Sequence, residues 1–248
     1  MFSPAKALEL DKSELAIGIA RGRFGGHAGI AFQSAKDGLQ ILHLRWHRKL
    51  AVEPYNATND CWIVCKLEIP SSLAVQLVGI VRAVAKRLPQ INYAVDSIAG
   101  KGSFDSNGTY KPPRGSVGLT CASFVTEVFR AGKAPLLREE TWTSTEANVL
   151  WAKQVVALLR ELKVDSHHIA AVEKSINGIR IRPEEVGAAA TLPFRSRAAD
   201  FETLNAISPH VMATLDVQCP VARQVAVAAA QPPMALVPAT DNGWSRGG

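Results

Sequence analysis

Two short apolar runs rich in Ile and Gly, 14–20 (ELAIGIA) and 27–33 (HAGIAFQ), are followed by 39–46 (LQILHLRW), where polar and apolar positions fall on opposite faces, and the three read as successive strands. The break RGRFGG separates the first two, and Asp37-Gly38 between the last two is a hairpin-turn signal. On the third strand Leu42, Leu44 and Trp46 share one face, and His43, Arg45 and His47 share the other. Residues 61–69 (CWIVCKLEI) read as a fourth strand. After Pro70 the apolar spacing changes to that of a helix and holds to about Leu88. Residues 96–119 are rich in Gly, Ser, Asn and Pro and read as a long loop, either a lid or a disordered insertion. At Cys121 a helical pattern begins again, with Phe124, Val125, Val128 and Phe129 on its face, and Gly132 and Pro135 end it. Further helices follow over about 145–162 and 165–177, and a last one over 180–189 starts at Pro183.

These elements predict an α+β fold, an antiparallel sheet packed against helices. They divide the chain into an N-terminal extension (1–13), one folded domain (14–186) and an Ala/Pro-rich, partly disordered tail (187–248). With 248 residues, 47% hydrophobic and 20% charged, the chain has material for one sizeable core rather than two. The longest apolar stretch, Leu73 to Val84, carries Arg82 and falls short of the roughly 20 residues that span a bilayer. The N-terminus mixes Lys6, Glu9, Asp11, Lys12 and Glu14 among its apolar residues, unlike a secretory signal. The expected location is therefore cytoplasmic, or outside the cell by a leaderless route. Four cysteines make no disulfide scaffold and read as thiols in a reducing compartment. The net charge of +6 lies in the first half, where residues 1–120 hold 15 Lys/Arg against 9 Asp/Glu. No dense basic run with interleaved aromatics is present, so nucleic acid is not an expected partner. A diffuse bias of this kind suits an acidic substrate or an anionic surface.

Cys121 is the residue with the clearest chemical meaning. It opens a helix, where backbone amides and the helix dipole favour a thiolate and lower the thiol pKa, so a nucleophile is expected there. The same amides can hold an oxyanion. A nucleophilic thiol needs a base and the base an orienter, and His27 and His43 lie in one hairpin. A turn about residue 35 sets His27 directly opposite His43; a turn about residue 36 sets it opposite Arg45, with His43 on the diagonal. Either register keeps both imidazoles on one sheet face. His43-x3-His47 and Cys61-x3-Cys65 have metal-ligand residue types, but residues four apart in a strand are about 13 Å apart and cannot share an ion. No metal or cofactor is expected, and Cys61 and Cys65 read as core-facing thiols. His167-His168 reads as solvated, and the basic loop glycines do not form a phosphate-binding loop.

GLTCASFVTEVF (118–129) resembles the nucleophile motif of the NlpC-type cell-wall peptidases, GGHAGIAF (25–32) resembles their histidine strand, and the His43 strand resembles the one supplying their third polar residue. Here both histidines precede the cysteine, the order of the circularly permuted papain-like branch, which also contains lecithin–retinol acyltransferase-like proteins. The resemblance spans about residues 14–135. It implies a permuted papain-like core, with Cys121 as nucleophile, His27 as base and His43 as orienter. It also places Tyr93 and Thr120 at the substrate and oxyanion side. Two positions depart from the cell-wall peptidases, which commonly carry Asp where Thr120 stands and Ser where Ala122 stands. The implied activity is hydrolysis of an amide in a peptide or peptidoglycan-like substrate through a thioester. The alternatives are a lipid acyltransferase or thioesterase using the same residues, its pocket covered by loop 96–119, and a binding module without chemistry.

Overall fold

Leu15, Ile17 and Ile19 alternate with Ala16, Gly18 and Ala20 along one strand, and this large–small alternation gives the sheet two unequal faces. In the computed structural model, which describes residues 1–55 and 61–220, six antiparallel strands form one sheet in the order β1-β6-β2-β3-β4-β5. The strands are β1 (Ser3–Pro4), β2 (Leu15–Gly22), β3 (Gly25–Ser34), β4 (Gly38–Trp46), β5 (Lys49–Pro54) and β6 (Ile63–Lys66). The helices are α1 (Ser71–Arg87), α2 (Cys121–Ala131), α3 (Glu146–Glu161), α4 (Ser166–Glu173), α5 (Pro183–Thr191) and α6 (Phe201–Gln218). The fold is thus α+β, with an antiparallel sheet packed against helices.

The face carrying Ile17, Ile30 and Leu42 is covered by α1, α2, α5 and α6 and forms the main core. The other face carries Ala16, Ala20, Ala31 and Ile41, and its cover is thin: Ala5, Leu8 and Leu10 of the N-terminal segment, with Trp62. Small residues make room for that indole. A Cβ on Gly18 would stand 2.9 Å from Trp62 Cε3.

Several boundaries differ from the sequence reading. Residues 1–13 are part of the fold, since Ser3 and Pro4 pair with Val64 and Ile63 and Phe2 is buried in the main core. The edge strand β5 was not expected; its short stretch begins with lysine and ends at Pro54, which blunts the apolar signal. The domain does not end at 186. Helix α5 continues to Thr191, and α6 buries Leu204, Val211 and Leu215 against the core. Those three keep helical spacing, but Pro209 within the helix and the Ala/Pro content around it obscure the period. The low-complexity stretch expected at the end of the tail lies, beyond residue 220, outside the described residues.

The cysteine reading is also corrected. Cys61 and Cys219 are joined by a disulfide, which ties the start of β6 to the end of α6; Cys65 and Cys121 are free and buried. Loop 96–119 is neither lid nor loose insertion. Ser97 donates to Ile179 O at 2.7 Å, and the buried Glu127 carboxylate of α2 accepts from the amides of Gly102 and Ser103. Phe104 packs edge-on against Phe124 with ring centroids 5.9 Å apart. Among the described residues no helix is long and apolar enough to cross a membrane.

Candidate active site

Thr120 ends an extended segment, and its hydroxyl accepts a hydrogen bond from Ser123 N at 3.0 Å, while Ser123 Oγ accepts from Thr120 N at 2.8 Å. This reciprocal cap makes Cys121 the first helical residue of α2. Thr120 lines the same cavity as Cys121, but its hydroxyl is occupied by the cap. The segment before it is set by a close backbone crossing. Leu119 N donates to Asn92 O and Ala94 N donates to Leu119 O, both at 3.0 Å. Gly118 passes Asn92 with φ +144, where a Cβ would fall 2.0 Å from Asn92 O, so only glycine fits. The crossing lays Tyr93 beside the helix start, with its hydroxyl 4.0 Å from Cys121 Sγ.

Cys121 is 5% exposed. Burial pushes its thiol pKa up; the amide of Ala28, the Tyr93 hydroxyl, the Arg180 guanidinium and the amide of Ala122 pull it down without winning. The lowered pKa expected from the helix N-terminus is therefore not found, because desolvation outweighs the helix amides. The resting thiol is protonated.

The hairpin takes the second of the two registers. Ile30 pairs with Leu42 and Ser34 with Gly38, so the turn centres on residue 36 and His43 is diagonal to His27. The two imidazoles meet, with His27 Nε2 2.7 Å from His43 Nδ1. His43 is fully buried, and burial, then the charges of His27 and Arg45, hold its pKa down to about 2, so it is neutral. Its Nε2 lies 3.5 Å from Glu53 Oε2 of β5, and Glu53 also holds Arg45 at 2.6 Å. Both rings pack on Trp62, with centroids 5.6 and 5.2 Å away.

That packing assigns the histidines to the thin face of the sheet. Their neighbours Ala28, Leu42 and Leu44 point to the other face, where α2 packs. Cys121 and the His27–His43 pair thus approach from opposite faces. They share one cavity of about 250 Å³. Ile30–Leu42 is the last pair of the β3–β4 ladder, and His27 and His43 lie just beyond it, where both line the cavity.

Three residues here had no sequence signal. Arg180, in the irregular segment before α5, lines the cavity with its guanidinium over the Trp151 ring, 4.1 Å from the centroid. Glu53 lies on the strand that was missed. His168, expected to be solvated beside the exposed His167, reaches the carbonyl of Tyr93 at 2.9 Å. No loop of the cavity comes from 96–119. Among the described residues no group of three or more His, Cys, Asp or Glu is arranged to hold a metal ion.

No protein-family model matches the sequence, and no curated protein or solved structure matches it significantly.

Proposed function

We propose that this chain is a cysteine-dependent amide hydrolase acting on a peptide or peptidoglycan-like substrate, with Cys121 as nucleophile, His27 as base and His43 as orienter. The observation that carries this reading is the single cavity shared by a cysteine at a helix N-terminus and a hydrogen-bonded histidine pair. Because burial keeps the thiol protonated, His27 takes its proton as the sulfur attacks, rather than beforehand. His27 is held through its Nε2 by His43, which fixes the ring beside the cavity. The exchange takes place across the cavity that Cys121 and His27 both line. In this reading the amides of Ala28 and Ala122 and the Tyr93 hydroxyl, which act on the sulfur at rest, hold the developing oxyanion. His27 then protonates the leaving amine, and water hydrolyses the thioester.

The arginine-lined cavity of about 250 Å³ weighs against a lipid acyltransferase. The Cys61–Cys219 disulfide supports an exported enzyme over a cytoplasmic one, since such bonds persist in oxidising compartments. A second reading, a binding module without chemistry, is favoured by one observation: Cys121 and His27 approach from opposite sheet faces.

Alkylation of the native protein with iodoacetamide, mapped by mass spectrometry, separates the two. Buried Cys65 is the internal comparator. The hydrolase reading expects Cys121 to be modified well before Cys65, with a rate about tenfold or more lower in His27→Gln. A Cys121 as inert as Cys65, or one indifferent to His27, favours the binding module.

A further inference from the structure

The lining of the Cys121 cavity contains four arginines, Arg21, Arg23, Arg45 and Arg180, and neither aspartate nor glutamate. Three of the four are paired with carboxylates that lie outside the lining. Arg21 pairs with Asp216, Arg23 with Glu161 at 3.6 Å, and Arg45 with Glu53 at 2.6 Å. Arg180 differs. Among the described residues no carboxylate oxygen lies within 4.0 Å of its guanidinium. Glu184, which acts on it from further away, sits 3.7 Å from Arg182 instead.

A half-buried cation with no direct ion pair, facing only the more distant charge of Glu184, is incompletely compensated unless something else completes it. Trp151 does so in part, since the guanidinium rests on its ring. Stacking occupies one face of the guanidinium and leaves its N–H edge for a planar acceptor, and a carboxylate fits that fork with two parallel hydrogen bonds. Arg180, Tyr93 and Cys121 line the same cavity, so an anion held there shares it with the reacting sulfur. Trp151 and Leu158 of α3 supply an apolar wall beside it.

We infer that Arg180, stacked on Trp151, is a carboxylate-binding subsite, and that the molecule attacked by Cys121 carries a carboxylate near its scissile carbonyl. This rests on the reading of Cys121 as a nucleophile.

The test compares two reagents of equal shape and different charge, N-iodoacetylglycine and N-iodoacetylglycinamide, on the full chain and on a free thiol. The readout is the ratio of their Cys121 alkylation rates, in which any change of thiol reactivity cancels. The subsite predicts a ratio about tenfold above that of the free thiol. Arg180→Gln brings the ratio down to the free-thiol value, and Arg180→Lys, which keeps the charge without the fork, falls between. A wild-type ratio at the free-thiol value overturns the subsite whether or not the variants fold, and a raised ratio is assigned to Arg180, among the four arginines of the lining, by the two variants. A wild-type ratio equal to the free thiol's, with Cys121 still reactive to the neutral reagent, removes the subsite and leaves the nucleophile standing. Inertness to both reagents overturns the two readings together.

Discussion

His47 and His168 lie ring against ring, centroids 4.6 Å apart, and hold the two polar groups of a single residue between them. Tyr93 N donates to His47 Nδ1 at 3.3 Å, and His168 Nε2 donates to Tyr93 O at 2.9 Å. One histidine comes from the turn after β4 and the other from α4, and the residue they grip places its hydroxyl against Cys121. The acceptor role of His47 Nδ1 requires a neutral ring.

That requirement makes the fold acid-sensitive. Burial, the neighbouring His168 and the charge of Arg48 lower His47 to about 4, and burial with His27 and Arg45 lowers His43 to about 2. In the unfolded chain both titrate near 6.5. Below that value the unfolded state binds more protons, so stability is complete above about pH 6.5 and declines as the pH falls toward 4. Thermal unfolding measured from pH 7.5 to 4 is expected to show a falling midpoint. His47→Asn, which keeps an acceptor near the Nδ1 position but does not titrate, is expected to reduce the slope. A midpoint that stays flat over this range contradicts the assignment of neutral rings.

Gly29 sits on the thin face next to the histidine pair. A Cβ there would stand 2.8 Å from Ile41 Cγ2 and 3.1 Å from His43 Cβ, and both neighbours are buried. Gly29→Ala is expected to destabilise by roughly 1–3 kcal/mol through overpacking. Because the push falls on His43, the imidazole proton resonances of the His27–His43 pair are expected to shift as well. Urea unfolding with imidazole NMR checks both, and an unchanged midpoint shows that the thin face has slack the packing does not display.

The Cys61–Cys219 bond joins positions 158 apart in the sequence and holds α6 to the sheet. Cys61→Ser/Cys219→Ser is expected to lose about 2–5 kcal/mol, the usual range for a native disulfide, with the early loss in α6. Hydrogen exchange over residues 201–218, with and without the bond, locates the loss. Protection that is the same in both forms shows that Leu204, Val211 and Leu215 anchor the helix without covalent help.

Local pattern carried most of the elements. Short apolar runs in ELAIGIA and HAGIAFQ and the two-faced pattern of LQILHLRW mark β2, β3 and β4, and helical spacing marks α1 through α5, because pattern and capping depend on neighbours a few residues apart. The meeting of His27 and His43 was legible for the same reason: a short hairpin allows few registers. The hidden elements were those without such a local period: β1, two residues long; β5, a short edge strand; and α6, interrupted by Pro209.

Other features depended on contacts distant in sequence. The pairing of Cys61 with Cys219, the clamp of His47 and His168 on Tyr93, and the place of Arg180 over Trp151 all join segments whose approach no periodicity specifies. The same holds for the chemistry of Cys121. By itself the sequence determined that a thiol opens a helix, where amides favour its anion. Only the tertiary structure decided that the helix start is buried deeply enough for desolvation to prevail, and that the histidine pair reaches the cavity from the other face of the sheet. Alternation assigns side chains to two faces, but which face the helices cover depends on packing across the whole chain.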